Sequence, residues 1–350
     1  TNEIKLFEKE LAEFCGRKYA IAVNGCTSAM HIALLACGIG RGDEVITQPN
    51  SFVTTGDCIL YVGAKPGFAD IDEETFTIDP EEIRKKITPK TRAIIPVHMY
   101  GHPCDMDPIM EIAEEHNLSI IEDAAHSLGA RYKGQVLGSI GQKNITCFSF
   151  GGKIMTTLGP GGAAVTDNED YYENMLMRRY AGQLPIDRGV DSVTYDDLHF
   201  TEHVIGYNLR MDEMRAAIAR DQLRGVNEAN EKRRCSAREY NEFLQEIEVV
   251  ETPIERDWAY HVYLHYVARF QNRDELQLFL DKNEIQTHVL YKIPLHLQEK
   301  TFKSMFGFKR GDYPKVEEAK AEILGLPQDP NMTTEVRREV VETIKQFYKQ

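Results

Sequence analysis

Thr91–Asp123 reads TRAIIPVHMYGHPCDMDPIMEIAEEHNLSIIED, and it decides the fold class. The run AIIPV is apolar at nearly every position, so Arg92–Val97 reads as a strand covered on both faces rather than one with a wet side. A helix over Met106–His116 and a second strand over Leu118–Glu122 follow. Strand, helix and strand in turn, with buried strands, imply a mostly parallel sheet with helices on both faces.

The same alternation extends towards the amino end. Leu6, Phe7, Leu11 and Phe14 give Ile4–Cys15 a helical period, Tyr19–Val23 (YAIAV) reads as a strand, and the turn Asn24-Gly25-Cys26 leads into a helix over Thr27–Cys37. The glycine run GIGRGDE at Gly38 resembles a dinucleotide-binding motif, but it follows a helix and precedes the strand Glu44–Thr47. That order is wrong for such a motif, so it reads as a helix stop and turn. A helix from about Val53 to Val62, a strand at Gly67–Ile71 and a helix at Pro80–Lys86 complete this half. Beyond Arg210 the chain is helical and charge-laced, which reads as a connection into a second domain. Strand candidates at His261–Phe270 and helices at Asp274–Lys282 and Thr333–Tyr348 make that part α+β. The expected organisation is a large α/β domain over 1–222 and a smaller C-terminal α+β domain over 223–350.

With 350 residues, 42% hydrophobic and 27% charged, the chain buries a full core. Its net charge of -14 repels nucleic-acid phosphates and anionic membrane surfaces, so neither is an expected partner. No apolar run reaches the roughly 18 residues of a membrane span, and no charged-then-apolar leader precedes the first helix; the expectation is a cytoplasmic enzyme. Seven cysteines form no CxxC pair and no cysteine–histidine cluster at zinc spacing, so they read as reduced packing residues, and no metal site is expected.

Ligands on such sheets bind beyond the carboxyl ends of the strands, where four features fall. In NGCTSAM, Asn24–Met30, a helix N-terminus carries the hydroxyls of Thr27 and Ser28; it suits a phosphate, and equally well simple capping. Phe52 follows the strand Glu44–Thr47 and can stack on a flat heteroaromatic ring or fill core. Asp123 closes the strand Leu118–Glu122, where its carboxylate can keep a ring nitrogen protonated or cap a loop. His126, three residues on, can hydrogen-bond a ligand or fill a polar gap. In NITCFSFGGKIMTTLGPGGAAVT, Asn144–Thr166, Lys153 lies between two strand-like runs beside glycine turns. An amine desolvated in such a loop loses its proton readily and forms a Schiff base with a carbonyl.

Taken together with NGCTSAMHIALLACGIGRGDEVI, LYVGAKPGFADID, IEDAAHSLGA, YNLRMDEMRAAIARDQL and YKIPLHLQ, these features resemble the DegT/StrS-type sugar aminotransferases, pyridoxal phosphate enzymes of the aspartate aminotransferase fold (fold type I). The resemblance covers nearly the whole chain. It implies that Lys153 forms the covalent imine with pyridoxal 5'-phosphate, that Asp123 pairs with the pyridine nitrogen, that Phe52 stacks on the ring and that His126 lies near the phenolic oxygen. It further implies that Thr27, Ser28 and Ser149 bind the cofactor phosphate and that Asn208 reaches the phosphate bound in a second subunit, making the site a property of a homodimer. Tyr291 and His296, in LYKIPLH, resemble residues bordering a sugar pocket, whereas Tyr207 and Arg210 fit a structural role as well as a catalytic one.

Two departures stand out. Ser149 to Lys153 is four positions, one fewer than the family pattern. Counting from the serine puts Ile154 in the lysine column; counting from the lysine matches KIMTT to the family's lysine-x-apolar-Thr-Thr and makes Leu158 an extra residue before GPGG. The second register is preferred because no other lysine is in reach. Pro160 also replaces the usual acidic residue. The function implied is transfer of an amino group, from glutamate as the donor, to a keto-sugar that carries a nucleotide, in amino sugar and polysaccharide biosynthesis. The rival implied by the same scaffold is a sugar dehydratase, whose hallmark is a histidine where this chain has Lys153; a non-catalytic cofactor-binding regulator is the other.

Overall fold

The computed structural model describes residues 2–151, 155, 159–183 and 204–349. Its elements in chain order are α1 (Glu3–Cys15), β1 (Tyr19–Val23), α2 (Cys26–Ala36), β2 (Glu44–Thr47), α3 (Val53–Tyr61), β3 (Lys65–Phe68), α4 (Pro80–Lys86), β4 (Thr91–Ile95), α5 (Met106–Glu115), β5 (Ser119–Asp123), β6 (Arg131–Tyr132), β7 (Gln135–Val136), β8 (Ile145–Ser149) and β9 (Gly162–Thr166). They continue with α6 (Glu169–Arg179), α7 (Glu213–Leu244), β10 (Val250–Glu251), β11 (Ala259–Tyr260), β12 (Tyr266–Phe270), α8 (Arg273–Lys282), α9 (Ser304–Phe306), α10 (Pro314–Glu322), β13 (Ile323–Leu326) and α11 (Thr334–Tyr348).

Seven strands form the main sheet in the order β1-β9-β8-β5-β4-β2-β3. Only β9 runs against the rest: it is antiparallel to both β1 and β8, while β8, β5, β4, β2 and β3 pair in parallel. The sheet is therefore mostly parallel, and it is covered on both faces. Alternate residues of one strand enter different cores, as the pleat requires. Ile21 and Val23 of β1 pack with Met30 and Ile32 of α2 and Met175 of α6. Ala20 and Ala22 pack with Phe7 and Leu11 of α1 and Ala216 and Leu223 of α7.

The helix α7 is one uninterrupted element of 32 residues. Its first half belongs to the core behind β1 and β9, whereas Ala237, Tyr240 and Leu244 pack with Tyr266 and Phe270 of β12 and Val341 and Ile344 of α11. Asp212 starts the helix by accepting a hydrogen bond from Arg215 N at 2.9 Å. A second sheet, β10-β12-β13, is antiparallel.

Two expected strands are displaced, each for a local reason. The strand expected at Gly67–Ile71 lies at Lys65–Phe68, including Pro66; β3 is the edge of the sheet, where a missing N–H costs no ladder bond. The stretch His261–Phe270 is two strands in different sheets. Ala259–Tyr260 pairs with β6 and Tyr266–Phe270 with β13, and Tyr263 at φ 46° turns the chain between them.

Candidate active site at the carboxyl edge of the sheet

The parallel strands β2, β4, β5 and β8, together with β1, end at one edge, and β9 begins there because it runs the other way: Gly162 is paired with both Val23 and Ser149. The approach of β9 to α2 admits no side chain. A Cβ on Gly162 would stand 2.4 Å from Cys26 N and from the Gly25 carbonyl carbon. No side chain caps the N-terminus of α2 at Gly25. Ser28 Oγ is turned sideways and donates to Asn24 Oδ1 at 2.6 Å. The first helical bond runs from Ala29 N to Gly25 O at 3.1 Å, so the N–H groups of the turn before it, with the half-buried Thr27 and Ser28, form the positive end of a helix facing the edge. Ser149, at the last position of β8, is half-buried beside it.

Asp123 is the last residue of β5 and is 4% exposed. Its main chain is pinned on both sides, by Asp123 N to Pro96 O at 2.9 Å and His98 N to Asp123 O at 3.0 Å. Each carboxylate oxygen accepts one bond: Oδ2 from Thr55 Oγ1 at 2.8 Å, Oδ1 from Ala125 N at 3.1 Å. Burial raises its pKa above the usual carboxylate range, and those two donors offset part of the rise. No salt bridge within 4.0 Å reaches it among the described residues.

His126 completes the same wall. Its Nε2 lies 3.0 Å from Tyr291 Oη, and the two rings are within 9° of parallel. Its Nδ1 is buried and has no hydrogen-bond partner among the described residues. Burial, with a smaller contribution from the Lys320 charge, pushes the imidazole down to about 4, so the ring is neutral. The Phe52 ring stands 5.7 Å from that of Tyr291 and is half exposed, at 51%. Asp123, His126, Tyr291 and Phe52 thus adjoin one another through Thr55 of α3 and the segment carrying Tyr291.

Other sequence candidates fall elsewhere or outside the described residues. Lys153 and the register alternatives Ile154 and Leu158 lie outside the described residues; Gly151 and Gly159, which flank them, lie against each other, with the Gly159 carbonyl 3.9 Å from the Cβ position of Gly151. Asn208 is bridged through its main chain to Tyr180, and Asn24 N donates to Leu209 O at 2.9 Å, so the segment runs beside the N-terminus of α2 with the Asn208 and Arg210 side chains exposed. The Arg210 guanidinium lies over the Tyr180 ring at 5.4 Å. His296 is fully buried, and its partners are Glu317 Oε1 at 3.1 Å and the Tyr313 ring rather than Asp123 or His126. Among the described residues, no group of three or more histidine, cysteine or acidic side chains is placed to hold a metal ion, all seven cysteines are free, and no helix is long and apolar enough to cross a membrane.

Three contributors carried no signal in the sequence reading. Thr55 bonds Asp123 across a sequence gap of 68 residues. Tyr100, at φ 58° in the turn after β4, sets its ring within 14° of parallel to His126. Lys320, in α10, is 5% exposed and donates to Leu290 O at 2.8 Å and Tyr100 Oη at 3.3 Å. For Tyr100 the available hint was the strand end itself, at Val97-His98-Met99-Tyr100.

The chain matches the DegT/DnrJ/EryC1/StrS aminotransferase family over residues 1–345. It is 40% identical over 348 residues to a "pleiotropic regulatory protein" of Geobacillus stearothermophilus, covering 99% of this chain and 89% of the relative. It is 35% identical over 351 residues to a GDP-perosamine synthase of Escherichia coli O157:H7, covering 99% and 90%. Among solved structures, S. venezuelae DesV in complex with a ketimine intermediate superposes with a TM-score of 0.92 at 32% identity, covering all of this chain and 90% of that one. A Bacillus subtilis structure with bound cofactor PMP, ntda, gives 0.86 at 30% identity over 99% of this chain and 78% of that one. The uncapped helix, the strand-terminal aspartate and the neutral histidine stand on a fold shared with these proteins, and this chain belongs to the DegT/DnrJ/EryC1/StrS aminotransferase family.

Proposed function

We propose that this chain is a pyridoxal phosphate-dependent sugar aminotransferase that converts a nucleotide-linked keto-sugar to an amino sugar, with glutamate as donor. The observation that carries the reading is the buried carboxylate of Asp123, which has two neutral hydrogen-bond donors and, among the described residues, no cation in a salt bridge with it. A buried carboxylate short of counter-charge suits a cationic ring nitrogen. The Nδ1 of His126, without a partner among the described residues, the uncapped N-terminus of α2 and the Gly162 approach fit the rest of such a cofactor: a polar ring substituent and a phosphate.

When bound, pyridoxal phosphate supplies a carbonyl that exchanges amines and a ring that takes up electrons freed at the substrate's α-carbon. Asp123 holds the proton on the pyridine nitrogen. The first-turn N–H groups of α2, with the hydroxyls of Thr27, Ser28 and Ser149, bind the phosphate, while Phe52 orients the ring by stacking. Lys153 holds the cofactor covalently and moves the proton to and from the substrate's α-carbon. Lys153 is the fourth residue after Ser149, and a chain of that length reaches at most about 14 Å. Tyr291 and His296 border the sugar pocket in this reading, His296 by positioning the segment it shares with Leu295, whose N–H donates to Pro49 O at 2.9 Å. The exposed Asn208 beside α2 serves the phosphate site of a second copy of the chain, so the working unit is a homodimer. In this reading the chain divides into a large domain over 1–222 and a small one over 223–350, with the boundary within α7, and the free thiols agree with a cytoplasmic setting.

The test is turnover: chain loaded with pyridoxal phosphate, glutamate and a panel of nucleotide-linked keto-sugars, with 2-oxoglutarate release as readout. Amino-sugar formation that disappears in Lys153→Ala is expected. Release that persists in the variant contradicts the reading. The printed name of the 40% identical relative favours a second reading, a cofactor-holding regulator; it predicts stable cofactor loading without turnover on any sugar of the panel.

A further inference from the structure

An ammonium group is enclosed behind the candidate site without a counter-charge among the described residues. Lys320 Nζ spends two of its three N–H bonds on Leu290 O and Tyr100 Oη, and no carboxylate lies within 4.0 Å of it among the described residues. It stands 6.0 Å from the centroid of the Tyr100 ring and 5.9 Å from that of Tyr291. Those two rings flank His126: Tyr100 nearly parallel at 6.5 Å, Tyr291 nearly parallel at 6.0 Å and hydrogen-bonded to Nε2. Both tyrosines sit at positive φ, 58° and 54°, where a bulky residue is strained, so the surrounding structure dictates their placement. The lysine therefore touches both supports of one imidazole.

We propose that Lys320 is a positioning residue: its charge, relayed through Tyr100 and Tyr291, fixes the orientation of the His126 ring and keeps that ring neutral, leaving Nδ1 as the edge available to a ligand. With the ring neutral, the tautomer in which Tyr291 Oη donates to Nε2 carries its proton on Nδ1, which then acts as a donor, and the other tautomer leaves Nδ1 an acceptor. A positive charge nearby opposes a second proton on the ring, in the same direction as burial. Among the described residues the other titratable and charged groups facing this cluster include Asp123 of β5 and Cys26 of α2, which face Tyr291, His265, whose ring centroid is 5.2 Å from His126 and which contacts His288, and Arg273 of α8, which faces Lys320. Burial, with Arg273 adding to it, pushes Lys320 down to about 7, so the charge it supplies is present below that pH and lost above it.

This proposal rests on the functional reading above only for what Nδ1 would face, and its test does not pass through turnover. The full chain, cofactor-free and cofactor-loaded, is labelled with 13C at histidine Cε1, and His126 is assigned by its loss in His126→Gln. In the unsubstituted cofactor-free chain, His126 should show no protonation above about pH 5 and a small inflection near pH 7 as Lys320 loses its proton. Lys320→Met should raise the His126 midpoint by about one pH unit, the size of effect a single nearby like charge produces, and abolish the inflection. Lys320→Arg keeps the charge without titrating in this range and should leave His126 neutral while also removing the inflection. A His126 midpoint that is the same in Lys320→Met and in the unsubstituted chain overturns the proposal. Should Lys320→Met not fold, Tyr100→Phe, which removes only the hydroxyl that accepts from Lys320, should shift the midpoint in the same direction, and no shift there also overturns it. A chain that fails to transaminate yet shows these shifts contradicts the functional reading and leaves the role of Lys320 standing.

Discussion

Glu122 and Asp123 are neighbours on β5 and point to opposite faces of the sheet, and they are solved differently. Glu122, fully buried, accepts from His98 Nε2 at 3.1 Å, Thr146 Oγ1 at 2.9 Å and Asn144 Nδ2 at 3.2 Å. His98 is itself fixed, because its Nδ1 accepts from Cys104 N at 2.9 Å and so leaves the ring proton on Nε2. Among the described residues Asp123 has a hydroxyl and one main-chain N–H. The comparison teaches that burial alone does not mark a functional carboxylate; what marks it is the donor set left incomplete. Among the described residues one acid has three side-chain donors and the other two donors, and in the proposed reading a ligand completes the second.

Breaking each side should therefore read out in a different measurement. Asp123→Asn, which keeps the shape and a hydrogen-bond acceptor, should cut amino-transfer turnover about a thousandfold, some 4 kcal/mol of barrier, while urea unfolding of the cofactor-free chain changes by less than about 1 kcal/mol. Glu122→Ala strands the donors of His98, Thr146 and Asn144 and should cost roughly 3 kcal/mol of stability in the same unfolding experiment. The comparison is inverted if Asp123→Asn unfolds the chain and Glu122→Ala does not. Thr55→Val removes one of the two donors to Asp123 and should weaken turnover about tenfold, near 1.4 kcal/mol, with a further rise in the Asp123 pKa.

The smallest effect is a pH slope. Because burial raises the folded-state pKa of Asp123 above its ordinary 3.8, the folded chain binds this proton more tightly than the unfolded one, and the stabilisation is lost as pH rises from 3.8 through the raised value. His126 acts the other way: depressed from 6.5 to about 4, it makes stability fall as pH drops through that interval. The two overlap, so the Asp123 contribution is isolated as the difference between the unsubstituted chain and Asp123→Asn across acid-side denaturation curves. A stability difference that does not change with pH removes Asp123 from the account of strained burial.

The main sheet was readable in the sequence because its strands are continuous apolar runs separated by helices, and a parallel sheet buried on both faces leaves that mark. Asp123 was readable for the same reason, since it closes such a run. Thr55 was not: PNSFVTT shows a threonine in a helix start, and only the packing of α3 over the end of β5 brings its hydroxyl to the carboxylate. Lys320 was the hardest to read, since KAEILGL has a lysine where helices put solvated charge, and it is the seating of α10 against Tyr100 and Tyr291 that buries it. His296 has the motif setting of a pocket residue, yet its ring is paired to Glu317 because α10, which the periodicity did not reveal, passes beside it. Local sequence records what an element does to its own residues and not what a distant one brings.

The central claim is that the chain holds pyridoxal phosphate at the sheet edge carrying Asp123, through the amine of Lys153. Borohydride reduction of the chain loaded with pyridoxal phosphate, followed by peptide mass mapping, tests it directly. The account predicts loss of the visible absorbance and one phosphopyridoxyl mass increment, on the peptide containing Lys153. An increment on another lysine, or a chain that takes up no cofactor and stays colourless, contradicts it.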